Sequence, residues 1–183
     1  MISTGSTSIQ TNSYGFQLAG LQNVASNHYG IQVAGLSNVV QGDNNGIQIA
    51  GVFNIAHNNS GVQMSLAMND AQKQSILQIA LVNGAYSLSG GQIGFANRIE
   101  GGMKGIQIGV INSAVEVGAA VATTTERHGL QVGIINGVED FHGLQIGVIN
   151  VCTTRLKGVQ IGIANFAPRG SISPFMLGIN MGF

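Results

Sequence analysis

Apolar and polar positions alternate along most of this chain, in a pattern that repeats about every fifteen residues. The clearest copy is residues 105–112, Gly-Ile-Gln-Ile-Gly-Val-Ile-Asn, in which an aliphatic face alternates with a glycine-glutamine-glycine face. Alternation with a period of two predicts β-strand. A fixed repeat shorter than about twenty residues is too short for paired helices, so the pattern predicts one β-coil per repeat.

Two polar residues mark every repeat, a glutamine inside the strand and an asparagine at its end. Neighbouring repeats lie 14–16 residues apart, except for one step of 24. In a parallel stack, equivalent amides would meet and form structural ladders. We therefore predict an all-β fold, a parallel β-solenoid of about ten short coils of 14–16 residues. The glutamines are Gln17, Gln32, Gln48, Gln63, Gln78, Gln92, Gln107, Gln131, Gln145 and Gln160, and the asparagines are Asn23, Asn38, Asn54, Asn69, Asn83, Asn97, Asn112, Asn136, Asn150 and Asn165.

The aliphatic rows suggest where the core lies. Stacked coils would bring equivalent aliphatic side chains together, which predicts a narrow apolar core. The opposite face has glycine on both sides of each glutamine, and we expect it to be a flat outer surface. Such a surface would let copies of the chain pack closely, so the sequence predicts a homo-oligomer or a surface partner. The predicted core includes Ile47, Ile49, Ile106, Ile108, Ile146 and Ile161.

The repeats divide the chain into three parts. Residues 1–14 hold a degenerate half repeat and are expected to form an N-terminal cap. Residues 15–167 are the repeat array, with an insertion within 113–128 that predicts a short helix or a projecting hairpin. The distance from glutamine to asparagine shrinks from six residues to five after the fourth repeat, which predicts two sub-blocks meeting near residues 70–76. Residues 168–183 are expected to form a C-terminal capping strand.

The last ten residues support an alternative fold. Phe175, Leu177, Ile179, Met181 and Phe183 fall at every second position, up to a terminal aromatic residue. This tail resembles the closing strand of outer-membrane β-barrels, whose strands alternate in the same way. The alternative is therefore an outer-membrane-type antiparallel β-barrel, in which the aliphatic face would meet lipid. A membrane partner is accordingly possible.

Composition narrows the function classes. Only 8% of the residues are charged, 44% are hydrophobic and the formal net charge is zero, which removes the electrostatic case for binding nucleic acid. The first eight residues lack the basic and apolar regions of a secretory signal peptide. The single cysteine, Cys152, falls in a row of small apolar residues, and we expect it in the core.

Two histidines are the candidates for metal binding. His128 and His142 each precede a repeat-opening glycine, so stacked coils would bring them together, with Glu126, Glu139 and Asp140 in the adjoining turns. The alternative is a simple turn position, since tyrosine, asparagine, serine and lysine occupy it in other repeats. No nucleophile-base order or phosphate-binding loop occurs in the sequence. We expect no catalytic residue, no cofactor and no enzymatic activity.

Three repeats carry a resemblance to a known family. Residues 105–112, 143–150 and 158–165 are similar to a bacterial surface-repeat family with Gly-Leu-Gln-Ile-Gly-Leu-x-Asn units, found in envelope-associated, lipoprotein-like chains of unknown activity. The repeat is also similar to that of curlin, which implies self-assembly, but the second glutamine of curlin repeats is missing here.

These resemblances imply a non-enzymatic structural, adhesive or assembly-forming protein, secreted to a bacterial cell surface or outer membrane. Two alternatives remain open. One is an outer-membrane β-barrel or pore, and the other is a secreted effector or toxin that binds a host target through its loops.

Overall fold

The computed structural model describes residues 2–3, 5–115 and 127–183, and this part of the chain is all-β, without a helix. The chain forms two compact units, Met1–Tyr86 and Ser87–Phe183. The strands of the first unit are β1 (Ile2–Ser3), β2 (Thr7–Ala19), β3 (Gln22–Ala34), β4 (Ser37–Asn44), β5 (Ile47–Ala50), β6 (Phe53–Ser65) and β7 (Met68–Ile79). Strand β8 (Val82–Ile93) crosses the division, and the second unit adds β9 (Ala96–Ile99), β10 (Met103–Ile108), β11 (Ile111–Ala114), β12 (Arg127–Val132), β13 (Ile135–Ile146), β14 (Ile149–Phe166) and β15 (Phe175–Gly182).

In the first unit, strands pair in parallel with equivalent repeat positions side by side. Gln32 of β3 faces Gln48 of β5, and Gln48 in turn faces Gln63 of β6. The predicted N-terminal cap forms an incomplete coil, because β1 pairs with the end of β2 and the start of β2 pairs with β3. Thr7 lies opposite Asn23 in that register.

The second unit follows the same rule. Strands β10, β12, β13 and β14 pair in parallel along the glutamine positions, and β9, β11 and β13 pair in parallel along the asparagine positions. Gln131 faces Gln145 in this parallel register. The predicted parallel β-solenoid of about ten turns is therefore confirmed, and the antiparallel alternative is not the fold. Among the strands of residues 2–3, 5–115 and 127–183, β15 alone pairs antiparallel, against β14.

The predicted core is wrong, because the side of each strand that was expected to face outward faces the interior, and the aliphatic side faces outward. The side chains of all ten repeat glutamines and all ten repeat asparagines are buried. The six isoleucines assigned to the core are instead 37% to 43% exposed, Ile108 among them at 42%. The glutamine face is therefore interior, and it cannot be the surface through which copies pack.

Glycines explain why the amides lie inside. The glycine two residues before the glutamine shares the glutamine's side of the strand, and neighbouring coils approach closely there. A Cβ on Gly46 would overlap the carbonyl oxygen of Gly30, and one on Gly105 would overlap that of Gly90. The interior is therefore narrow beside each glutamine. Amides in register can pair with one another in this space, whereas unpaired they would be costly to bury.

A second interior row differs between the two units. It contains the buried residue three or four positions before each glutamine. This row is polar in the first unit, and mostly apolar in the second. The change coincides with the division after Tyr86, which comes later than the predicted sub-block boundary near residues 70–76. The row comprises Ser13, His28, Asn44, Asn59 and Ser75 in the first unit, and Leu88, Met103, Arg127, Phe141 and Leu156 in the second.

The C-terminal end of the array also differs from a simple apolar cap. In β15, Leu177 is 67% exposed and Phe175 is 48% exposed, whereas the buried residue is Asn180. The strand therefore turns an amide inward and its apolar side chains outward, as the repeats do. Most of the insertion predicted within 113–128 falls on residues 116–126, which lie outside the described residues.

Candidate functional site

The glutamines form a hydrogen-bonded ladder inside each unit. Gln107 shows the pattern, because its Nε2 donates to Oε1 of Gln92 at 2.9 Å and its Oε1 accepts from Nε2 of Gln131 at 2.8 Å. The same Nε2 lies 3.4 Å from the carbonyl oxygen of Ser113, on the far side of the coil. Gln107 therefore ties its coil to the neighbouring coils and to its own second strand, and Gln63, Gln78, Gln92, Gln131 and Gln160 make the same kind of contact with a backbone carbonyl oxygen. The ladder distances are 2.7–3.0 Å in the first unit and 2.8–2.9 Å in the second.

The asparagines form a second ladder whose hydrogen bonds run the opposite way along the chain. Nδ2 of Asn112 donates to Oδ1 of the following Asn136 at 2.8 Å, whereas each glutamine donates to the preceding glutamine. The same Nδ2 donates to the carbonyl oxygen of Val132 at 2.8 Å, and this contact fixes the orientation of the amide. The ladder distances are 2.9–3.1 Å in the first unit and 2.8 Å in the second.

The ladders end differently in the two units. At the C-terminal end of the second unit, Asn180 donates to Oε1 of Gln160 at 3.4 Å, and Asn165 donates to the carbonyl oxygen of Gly178 at 2.9 Å. At the N-terminal end of the first unit, Nε2 of Gln17 and Oδ1 of Asn23 are buried without a hydrogen-bond partner among the described residues. Strand β15 therefore completes one end, and the incomplete first coil leaves the other unfinished.

Because the amides are inside, the aliphatic residues form the outer surface of two sides of each coil. We call these sides the apolar faces, formed by the residues immediately before and after each glutamine and by the two residues before each asparagine. In the second unit none of these twenty side chains has a hydrogen-bonding group, and none is buried. They are Gly91, Ile93, Phe95, Ala96, Ile106, Ile108, Val110, Ile111, Leu130, Val132, Ile134, Ile135, Leu144, Ile146, Val148, Ile149, Val159, Ile161, Ile163 and Ala164.

The first unit has the same faces with two polar exceptions, Gln22 and Ser37. In the second unit, an open groove of about 520 Å³ follows the corner where the two faces meet, along the glycines Gly109, Gly133 and Gly147. Aliphatic side chains of both faces line this groove. The faces and the groove together make a continuous apolar surface within that unit.

The charged residues of the described coils lie in the rest of the coil, whose outer surface we call the polar side; two of them, Arg127 and Asp140, are buried beneath it. None of the fourteen Lys, Arg, Asp and Glu residues lies between the position two before a repeat glutamine and the asparagine that follows it. Polar turn residues such as Thr153 and Thr154 share this side and are exposed. Each described unit is therefore amphipathic across its coils rather than along the chain.

The candidate metal ligands lie on the polar side. The rings of His128 and His142 meet edge to face, with centroids 4.7 Å apart, and Lys104 and Lys157 flank them in register. Glu139 pairs with Arg127 at 3.2 Å, so it is committed to an ion pair. Among the described residues, no group of three His, Cys, Asp or Glu side chains is placed to hold a metal ion.

The other carboxylate beside this turn is also paired. Asp140 accepts from Arg155 at 3.2 Å, and Glu126 lies outside the described residues. Cys152 is fully buried, as predicted, and burial raises the pKa of its thiol to about 11. A thiol of that pKa is protonated near neutral pH and is a poor nucleophile.

Comparison with protein-family models, with curated proteins and with solved structures gave no match. The resemblance to the surface-repeat family therefore stays a prediction. Within the described residues, no helix has the length and hydropathy that spanning a membrane requires.

The apolar faces, which are the candidate functional surface, were not predicted from the sequence. The sequence feature that could have indicated these faces is the absence of charged residues between each repeat glutamine and the asparagine that follows it.

Proposed function

We propose that this chain is a non-enzymatic adhesive or assembly-forming repeat protein of a bacterial surface, and that it acts through its apolar faces. The observation that carries the proposal is the inverted arrangement of the coil, with amides inside and aliphatic rows outside. The resemblance to envelope-associated repeats supplies the expected location.

Energetics support an interaction role. Five coils about 4.8 Å apart, each contributing about eight residues of about 3.3 Å, give the second unit an apolar surface of roughly 600 Å² in projection. Contiguous exposed apolar patches on soluble monomers rarely exceed a few hundred Å², and larger ones mark interaction sites. Covering this surface removes hydrocarbon from water and is favourable.

The test compares two double variants with the same added charge. Ile134→Glu with Ile163→Glu places two carboxylates on the apolar faces, where the parent side chains are 50% and 68% exposed. Thr153→Glu with Thr154→Glu places two on the polar side, and serves as the control. We expect the wild type and the control to self-associate or to bind alkyl-coated beads, and the face variant to do neither. A wild type that stays monomeric and ignores the beads would contradict the proposal.

A further inference from the structure

We infer that the apolar faces bind lipid hydrocarbon. The second unit would then lie in a membrane interface with its polar side toward water. This inference rests on the proposed function, since it names the chemistry of the partner. It is carried by four features of the second unit: the outer side chains, the corner, the backbone and the distribution of charge.

The outer side chains favour lipid over a protein partner. Protein interfaces carry about one hydrogen bond per 100–200 Å² and have a polar rim. A surface of roughly 600 Å² in projection would then be expected to offer several hydrogen-bonding groups. The apolar faces of the second unit offer none from their twenty side chains. Lipid hydrocarbon forms no hydrogen bonds, so it can cover a surface that has no hydrogen-bonding groups.

The corner favours a fluid partner over a rigid one. The apolar faces lie on different strands that meet at a turn, and the groove along Gly109, Gly133 and Gly147 separates their aliphatic rows. A second rigid sheet could cover one face and leave the other in water. Acyl chains are flexible, so they can cover both faces and fill the groove together.

The backbone at this corner is already paired within the unit, as hydrocarbon requires. An unpaired N–H or C=O group in lipid costs several kcal/mol. The corner amide of Val110 donates to Phe95, that of Ile134 to Val110, and that of Val148 to Ile134, at 2.9–3.0 Å. The adjoining strands pair in parallel on both sides of the turn. The repeat glutamines and asparagines of this unit bond to one another in the two amide ladders.

Charge sets the orientation and the expected lipid preference. The polar side carries the charges of both signs, and several are paired there, including Arg98 with Glu100 at 2.8 Å and Arg155 with Asp140. Such a side faces water and headgroups, as the charged face of an interfacial amphipathic helix does. Since the formal net charge of the chain is zero, attachment should depend on hydrocarbon rather than on anionic headgroups.

The experiment measures tryptophan fluorescence in two variants, each with one tryptophan at a chosen position. The chain contains no tryptophan, so Ile134→Trp on the apolar faces and Thr153→Trp on the polar side each give a single probe. The full-length variants are mixed with phosphatidylcholine vesicles, and then with vesicles that also contain phosphatidylglycerol. Brominated phosphatidylcholine quenches any tryptophan that enters the acyl region. Far-UV circular dichroism checks that both variants keep the fold.

We expect a blue shift and quenching at position 134 with both kinds of vesicle, and neither at position 153. The face double variant with glutamates at 134 and 163 should bind vesicles about tenfold more weakly for each charge, and the polar-side control should bind like the wild type.

Two results would overturn the lipid assignment. A blue shift at position 134 that needs no lipid and rises with protein concentration would show that a second copy covers the face, and would leave the proposed function standing. No shift at position 134, with no self-association and no binding to alkyl-coated beads, would overturn both.

Discussion

Gln107 and Ile108 are neighbours whose surroundings reverse the usual roles of amide and aliphatic side chains. The amide of Gln107 is buried and bonded on both sides, whereas Ile108 is 42% exposed. Replacing Gln107 by leucine would keep the size but leave groups on Gln92 and Gln131 without a ladder partner. A buried polar group left unpaired costs about 1–3 kcal/mol.

We therefore expect Gln107→Leu to lower the free energy of unfolding by about 2–4 kcal/mol. The matched control, Ile108→Gln, puts the same kind of amide on the outer face and should change stability by less than about 1 kcal/mol. Urea denaturation followed by circular dichroism measures both. The reverse order of stabilities would show that the aliphatic rows, and not the amides, form the core.

His28 links the interior of the first unit to pH. Burial lowers the pKa of His28 below its ordinary value of 6.5, although a backbone hydrogen bond at Gly30 acts the other way. The folded state therefore favours the neutral imidazole. Its contribution to stability is fully present above pH 6.5 and is lost as pH falls from there toward the lowered folded pKa.

We expect the free energy of unfolding to decrease over that acidic window. His28→Asn should remove this part of the pH dependence, because asparagines occupy the same interior row at Asn44 and Asn59. The measurement is urea denaturation at a series of pH values. An unchanged pH profile in His28→Asn would assign the dependence to other groups.

At this scale the sequence predicted which residues share a row but not which row lies inside. The rule that apolar residues are buried misplaced Ile108 and its equivalents. The glycines held the contrary signal, since Gly105 shares a strand side with Gln107 and leaves room only for a narrow interior. Hydrogen-bond pairing between equivalent amides could be inferred only once the coils were known to stack in register.

At the scale of strands, the first coil of the array is incomplete. Oδ1 of Asn23 has no partner among the described residues, and Thr7 occupies the register position where a further asparagine would stand. Thr7→Asn would extend the asparagine ladder by one step. We expect it to raise the free energy of unfolding by about 1 kcal/mol.

Ser8→Asn is the control for this extension, because position 8 pairs with Val24, one residue beyond the ladder. An asparagine at position 8 would stand out of register with Asn23 and would not extend the ladder. Chemical denaturation of the three proteins gives the comparison. Equal stabilisation by both variants would indicate a general effect on β2 rather than a ladder bond.

The strand pattern was predictable from alternation, and the parallel pairing followed from the fixed repeat. The antiparallel pairing of β15 was not predictable, because residues 174–183 lack the repeat's glutamine and its fixed spacing to an asparagine, so the pattern gives no register for them. The structure shows that Asn180 takes the place of the next glutamine by bonding to Gln160.

At the scale of the molecule, the repeats should be removable one at a time. Deleting residues 143–157 would join His142 to Gly158 and bring Gln160 beside Gln131. The first part of β13 would then continue into the second part of β14, and β15 would be unchanged. Repeat proteins gain stability from contacts between neighbouring repeats. The shortened chain should therefore still fold, and its free energy of unfolding should fall by roughly the contribution of one coil and its contact with the next.

Circular dichroism and urea denaturation test this deletion, and the slope of the transition should fall because less surface is exposed on unfolding. A control deletion of residues 139–157 removes four residues more and leaves a step of only ten residues from Gln131 to Gln160, which is shorter than the 14 residues of the shortest natural step. We expect that chain to be much less stable. Equal stability of the two shortened chains would contradict the ladder as the determinant of register.

The opposite directions of the two amide ladders bear on how long such a protein can become. An amide group has a dipole of about 3.5 D, and aligned dipoles add up to the partial charges found at the ends of an α-helix. Each unit has five ladder glutamines and five ladder asparagines, and their hydrogen bonds run in opposing senses. Their fields largely cancel, so adding a coil adds no electrostatic penalty at either end.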